Sequence, residues 1–301
     1  MHIIITSFNE PKATEKAVQS LLDQNLKNTE IIVSDPFPEV LDYLKSKFGN
    51  KITYDLDFGE GKSASLNRLF KNLKGKGEII ISTDGDVYTG ENSIKELLKK
   101  FKDPKVGCVS GRPVSINPRD NRLGYWSHFL FDVGAHKISR KKNYEKNKFL
   151  ECSGYLFAFR NNVIDEIPLD VAEDSIIPYY FHKKDYKIAY AENAKVYVKN
   201  PTNIKDFIKQ RKRTANAHAK LTKYAPEFPR VKSFTGEIKG ALTGLFEIFS
   251  YPKNIKEFYW TLLLFPTRLY IWLNILYTKR KQEYEDGWRE NLEVKSTRSE
   301  D

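Results

Sequence analysis

Short apolar runs alternate with amphipathic stretches through the first hundred residues. Residues 2–6 (His2-Ile3-Ile4-Ile5-Thr6) read as a buried strand, closed by the turn Asn9-Glu10-Pro11. From 12 to 26 the apolar residues Ala17, Leu21 and Leu22 fall on one helical face. Ile31-Ile32-Val33 predicts a second strand that stops at Asp35-Pro36, and 38–48 predicts a second helix. A short strand, Ile52-Thr53-Tyr54, leads into a glycine-bearing loop, Gly59-Glu60-Gly61-Lys62. Residues 63–73 are helical in pattern, and Glu78-Ile79-Ile80-Ile81-Ser82 is an apolar strand running into Thr83-Asp84-Gly85-Asp86. Strands that alternate with helices of this length imply an α/β fold with a parallel sheet and right-handed crossovers. Ligands of such sheets bind beyond the carboxyl ends of the strands. Asn9, Asp35, Lys62, Asp84 and Asp86 each follow an expected strand, so they are expected to converge on one crevice.

The second half has a different pattern. Residues 106–116 and 149–160 look like strands of a mixed extension, separated by a basic stretch, 137–148, that reads as a loop or lid. Residues 173–184 predict a helix, 188–199 a strand and 203–222 a strongly basic helix. From about residue 236 Gly, Leu, Phe, Tyr and Trp dominate, until a charged tail begins at Lys279. No internal repeat is present.

Composition narrows the classes. An apolar fraction of 40% with 13% aromatic residues excludes a disordered chain, and 301 residues suffice for a sizeable core. Fifty Lys and Arg against 39 Asp and Glu leave a charge of +11, which suits nucleic acid, anionic lipid or phosphorylated small molecules alike. The two cysteines, Cys108 and Cys152, sit in apolar runs without metal spacing and are expected to be buried reduced thiols. The five histidines show no ligand spacing and are expected in ordinary core or surface roles. The chain opens directly on a strand, so its body is expected in the cytoplasm.

Asp84-Gly85-Asp86 carries the first chemical signal. Two carboxylates one residue apart at a strand end can share a divalent cation with a diphosphate, and the cation would neutralise charge growing on that diphosphate as it leaves. Alone the pattern is equally a solvated Asp-Gly turn. Its context is more specific. Thr6-Ser7-Phe8-Asn9-Glu10, Ile31-Ile32-Val33-Ser34-Asp35, Gly61-Lys62-Ser63-Ala64-Ser65-Leu66-Asn67 and Asp84-Gly85-Asp86 follow one another in an order that resembles glycosyltransferase family 2 enzymes of the GT-A fold. Cys152-Ser153-Gly154 with Phe159-Arg160, Glu173-Asp174 and Gln210-Arg211-Lys212-Arg213 continue that order, so the resemblance covers residues 1 to about 220.

The resemblance implies a role for each motif. Thr6, Phe8 and Glu10 would lie along the nucleoside of a UDP- or GDP-sugar donor, and Asp35 would accept a hydrogen bond from the base. Lys62 would approach the base and diphosphate. Asp84 would face the ribose or the metal, and Asp86 would ligate the metal, Mn²⁺ or Mg²⁺. Asp174, beside Glu173, would be the base that deprotonates the acceptor hydroxyl, with Gly154 on the acceptor side. Gln210 and Arg213 resemble the element that holds the diphosphate and frames the acceptor channel. Displacement at an anomeric carbon needs a carboxylate base on one side and positive charge on the other, and a single displacement inverts the centre. Glu173-Asp174 equally suits a helix N-terminus, where acidic residues complement the dipole. Two departures stand out: Thr214 replaces the Trp that usually ends the last element, and Pro36 replaces a second acid. Both favour a single transfer over processive synthesis.

The expected organisation is a donor-binding half over 1–110 and an acceptor-binding, catalytic half over 111–225. C-terminal apolar helices follow over 236–280, then a charged tail over 281–301. Residues 258–278 carry one charge, Arg268, and one proline, Pro266, and their length would just span a bilayer. Basic residues at both ends (Lys253, Lys256; Lys279, Arg280, Lys281) give no bias to orient a span. Thr261, Thr267, Arg268, Asn274 and Thr278 share a sector of about 140° on a helical wheel. Helices lying on the cytoplasmic face of the cell membrane, with Trp260 and Trp272 inserted, are therefore favoured over spans or a core element. The expected acceptor is a glycan or a lipid-linked one. A sugar nucleotidyltransferase would carry a Gly-rich, Arg-bearing loop where this chain has Ser7-Phe8-Asn9-Glu10. A basic nucleic-acid or membrane adaptor would carry a binding module, and no nucleic-acid module is recognisable.

Overall fold

Ile3, Ile4 and Ile5 are wholly buried in a computed structural model that describes residues 1–228 and 233–278. Each removes an apolar side chain from water on one or other face of the sheet, worth roughly 1.5–3 kcal/mol apiece. In chain order the elements are β1 (His2–Thr6), α1 (Pro11–Leu22), β2 (Glu30–Asp35), α2 (Pro38–Phe48), β3 (Thr53–Leu56), α3 (Lys62–Asn72), β4 (Ile79–Asp84) and β5 (Tyr88–Thr89). They continue with α4 (Ser93–Lys100), β6 (Val106–Ser115), α5 (Arg122–Phe129), a π-helix (Leu130–Lys141), α6 (Lys142–Glu145), β7 (Leu156–Arg160), α7 (Glu173–Lys183) and β8 (Lys187–Val198). Five more helices complete the described chain: α8 (Ile204–Ala219), α9 (Leu221–Tyr224), α10 (Phe234–Thr243), α11 (Leu245–Ser250) and α12 (Ile255–Thr278).

The strands form one mixed sheet in the order β3-β2-β1-β4-β7-β6-β8-β5. The first four in that order run parallel, as the strand–helix alternation requires, and β7 joins β4 antiparallel. Register fixes the site: Thr6 pairs with Ser34 on one side and Asp84 on the other, so three strands end at one level. The loops after β1, β2 and β4 therefore open on the same edge.

Two expectations in the second half need correction. Most of residues 137–148 do not form a loop: the π-helix and α6 occupy them as far as Glu145. Val133, His136 and Arg140 recur at helical spacing and are buried, and the Arg140 guanidinium donates to the carbonyls of Glu151 and Cys152. A basic residue that bonds inward looks like loop composition in a sequence. Of 149–160, only β7 is strand, because Cys152 N–H bonds to the Asp174 carbonyl at 3.0 Å and turns the chain away from the sheet. Cys108 and Cys152 are free and buried, 3.4 Å apart at sulfur.

His136 makes stability depend on pH. Burial, then the nearby positive Arg112, lowers its imidazole from the ordinary 6.5 to about 4, while Nδ1 meets Tyr190 Oη at 2.8 Å. Between those values the unfolded chain binds a proton that the native state refuses, so stability falls as pH drops from about 6.5 towards 4. The urea midpoint of wild type should exceed that of His136→Gln at pH 7, and the gap should narrow by pH 4.5. A gap independent of pH would contradict this.

Helix α12 is inverted relative to a water-soluble helix. Its polar positions face the protein: Thr261 is fully buried against Tyr125 Oη at 2.5 Å, Asn274 accepts from Lys212, and Arg268 bonds to Glu237. Trp272 is buried too and donates to Glu237 at 2.7 Å, so it does not face outward as expected from the sequence. Ile255, Phe258, Leu262, Phe265, Leu269, Leu273 and Leu276 form an exposed stripe at intervals of three and four. A bidentate pair from Arg119 to Glu257, at 2.7 and 2.9 Å, pins the start of the helix to the body. Among the described residues no helix is long and apolar enough to cross a membrane. Lys279, Arg280, Lys281 and the expected tail lie outside the described residues.

Candidate active site

The loop after β4 is built around Gly85, whose N–H bonds to the Thr6 carbonyl at 2.9 Å. A Cβ there would lie 2.5 Å from Ser7 Cβ and 2.8 Å from Thr14 Oγ1, so only glycine lets the strand end approach β1 this closely. That approach sets Asp84 and Asp86 at the mouth of a cavity of about 1000 Å³. Lys62, the first residue of α3, reaches across it. Its Nζ is 2.5 Å from Asp84 Oδ1 and 2.6 Å from Glu173 Oε1, and Thr6 Oγ1 donates to the same Asp84 oxygen at 3.5 Å. Burial raises the Asp84 carboxyl, as does the charge of Asp86, while Lys62 opposes both. The two carboxylates hold Lys62 firmly in its charged form against the cost of burial.

Glu173 and Asp174 begin α7, where the helix dipole favours acids. Gly154 N–H donates to Asp174 Oδ2 at 3.2 Å, and a Cβ on Gly154 would press on Glu173 Oε1 at 3.3 Å. Gln210 and Arg213 approach from α8, with Thr214 beside them. Thr6, Phe8, Glu10, Lys62, Asp84, Asp86, Gly154, Glu173, Asp174, Gln210 and Arg213 all line this cavity, so eleven of the twelve candidate residues meet.

Asp35 does not. It is fully buried outside the lining, and its oxygens accept from Ser7 Oγ at 2.6 Å, Asn9 N–H at 3.2 Å and Phe37 N–H at 2.9 Å. Burial raises its carboxyl, and the Ser7 bond works against that. Asp35 ties together the loops after β1 and β2, and so fixes Phe8, which packs edge-on to Phe37 at 5.2 Å.

Four residues of the cavity region escaped the sequence reading. His218 follows Gln210 and Thr214 at intervals of four on α8, a signal that the basic composition of that helix hid. It is buried with Nε2 3.5 Å from Asp174 Oδ1 and Nδ1 3.2 Å from Glu151 Oε2. Tyr155 lies between the acidic pair and α8, its hydroxyl pushed up to about 12 by burial. Arg211 and Arg268 extend the lining towards α12, and Arg211 is lowered to about 10 by burial and then by Arg268.

Among the described residues no group of three or more His, Cys, Asp or Glu side chains forms a ready metal site. The donor set at Asp84 and Asp86 nonetheless suits a hard cation of the Mg²⁺ or Mn²⁺ type, which commonly takes only one or two carboxylates and completes its shell with substrate phosphate and water.

The mixed sheet, the acidic pair at the end of β4 and the carboxylates at the start of α7 are the arrangement expected of a glycosyltransferase. The chain belongs to glycosyltransferase family 2, whose family profile matches residues 2–168. It is similar to the poly-beta-1,6-N-acetyl-D-glucosamine synthase of Staphylococcus epidermidis, at 25% identity over 224 residues, covering 70% of this chain and 53% of that protein. The synthase of the same name from Staphylococcus aureus strain COL is 24% identical over the same shares. The chain thus spans about half the length of the curated relatives it matches.

Proposed function

We propose that this chain is an inverting, metal-assisted glycosyltransferase that moves a sugar from a nucleoside-diphosphate donor to a hydroxyl acceptor, with Asp174 as base. The observation that carries this reading is the Lys62 bridge, which brings the acidic pair of β4 and the carboxylates of α7 to one cavity. Thr6, Phe8 and Glu10 line the donor end on the β1 side, in the half formed by residues 1–110. Asp86 and Asp84 would hold the divalent cation, which supplies positive charge to the departing diphosphate. Asp174 takes the proton of the acceptor hydroxyl while that oxygen forms its bond to the anomeric carbon. The bond from that carbon to the diphosphate oxygen breaks, and the configuration inverts. Lys62 and Arg213 offset the charge that the leaving group gains. Gly154 orients Asp174 from the acceptor side, in the half formed by 111–225.

The donor is a UDP- or GDP-sugar, and the relatives' name makes N-acetylglucosamine the first sugar to test. Thr214, in place of an aromatic platform, favours a single transfer onto a glycan or lipid-linked acceptor. A thermal-shift screen of nucleoside diphosphates and nucleotide sugars with Mn²⁺ or Mg²⁺ tests the reading. One nucleotide should raise the melting temperature by several degrees only with metal, undisturbed by excess RNA. Displacement of the nucleotide by RNA, or no response to any nucleotide, would point to the basic adaptor instead.

The lipid-linked acceptor and a location on the cytoplasmic face of the membrane rest on α10–α12, which run from Phe234 to Thr278. Their exposed stripe is the apolar face of α12, Lys253 and Lys256 flank its start, and the cavity extends to Arg268 on its inner face. An occupant with apolar chains and anionic headgroups matches both features, and each basic residue near such a surface adds on the order of 1 kcal/mol, falling with salt. The protein should sediment with anionic liposomes at low salt, and Leu262→Ser with Leu269→Ser and Leu273→Ser should cut this by about tenfold or more. Monodisperse protein that ignores liposomes would sink the proposal.

A further inference from the structure

Asp174 belongs to a buried chain of three titratable groups. His218 on α8 stands between two carboxylates, Nε2 towards Asp174 Oδ1 at 3.5 Å and Nδ1 towards Glu151 Oε2 at 3.2 Å. All three residues are less than a tenth exposed, and Ser175 Oγ lies against His218 Nδ1. Glu151 itself is held from behind, because Arg140 of the π-helix donates to its carbonyl at 3.2 Å and to that of Cys152 at 3.0 Å. Cys152 N–H in turn bonds to the Asp174 carbonyl. Helix α8, the π-helix, the 149–155 turn and the start of α7 are thus locked around one imidazole.

Burying Glu151 for packing alone makes no physical sense. A carboxylate removed from water costs several kcal/mol unless a partner compensates it, and the His218 ring stands close to both Glu151 and Asp174. An imidazole so flanked donates through both nitrogens when it is charged. Among the described residues, charged groups around Asp174 include Glu173 on its own helix, Lys62 of α3 and Asp84 of β4, and Lys62 is shared between Glu173 and Asp84.

We propose that His218, supported by Glu151, is the positioning residue of the transfer reaction. It fixes the Asp174 carboxylate against Gly154 N–H and keeps it ionised, so that Asp174 meets the acceptor hydroxyl as a base. The inference rests on the reading of Asp174 as the base. It extends that reading to two residues that lie behind Asp174 and that no motif of the sequence marks. Glu151 and His218 act through Asp174 and need not touch either substrate.

The experiment is a pH profile of kcat and kcat/KM for the full chain with its nucleotide-sugar donor, comparing wild type with His218→Gln, Glu151→Gln and Asp174→Asn. Glutamine keeps the size and hydrogen bonding of His218 but cannot carry the charge. Losing that charge makes Asp174 easier to protonate, so the acid limb should move to higher pH by at least half a unit, with kcat down by about tenfold and donor KM within twofold. Glu151→Gln should move the same limb in the same direction by less. A fall in kcat with an unmoved limb, or an equal loss of donor affinity, makes His218 a packing residue and overturns the proposal. Nucleotide-dependent thermal shifts separate misfolding from mechanism, and a His218→Gln protein that no longer binds donor counts against the proposal too. Normal activity of Asp174→Asn would instead remove the base reading on which the inference stands.

Discussion

Asp174→Asn should lower the transfer rate by about 10²–10⁴-fold, the usual cost of losing a general base, while donor affinity barely changes. The substitution preserves shape and leaves an oxygen to accept from Gly154 N–H, now 3.2 Å from Asp174 Oδ2. It removes the negative charge and with it the ability to take a proton. Donor binding measured by titration should stay within about twofold, because the residue faces the acceptor side. A parallel loss of donor affinity would mean that Asp174 belongs to the donor subsite.

The second large effect falls on the other end of the cavity. Asp86→Ala should cut turnover by at least about 10²-fold, the scale seen when one group that meets transition-state charge is removed. Its fold should persist, since the turn is shaped by Gly85 packing on Ser7. Asp84→Asn should weaken donor binding as well, and it also breaks one of the two ion pairs of Lys62. Near-normal turnover of Asp86→Ala in the presence of a chelator would rule out the metal role.

The parallel half of the fold is legible because its strands are apolar on both faces and its helices are patterned on one. The isoleucine runs of β1 and β4 need no context to be recognised. The convergence of Thr6, Asp84 and the loop after β2 follows from topology alone, since parallel strands end on the same edge. Asp35 lies outside the lining and shows the limit of that rule: position after a strand says which edge a residue reaches, but not whether neighbouring N–H groups take its oxygens. The π-helix is hidden in the sequence because Arg140 and His136, polar in composition, face inward and bond to backbone carbonyls and to Tyr190. Long-range pairs are invisible to periodicity. Glu151 and His218 are 67 residues apart, as 218 minus 151 gives, and nothing local marks either as the other's partner. The polar residues of α12 show the same limit, for the helical wheel finds the sector but not whether it faces water or protein.

The central claim is inverting transfer from a nucleotide sugar in this one cavity. It is tested most directly by proton NMR of the product formed from an α-linked nucleotide sugar, starting with the N-acetylglucosamine donor, with Mn²⁺ and a saccharide acceptor. The account predicts release of nucleoside diphosphate in step with a new β-anomeric signal, absent with Asp174→Asn. An α-linked product, or a β-linked product that Asp174→Asn still forms at the wild-type rate, would contradict it.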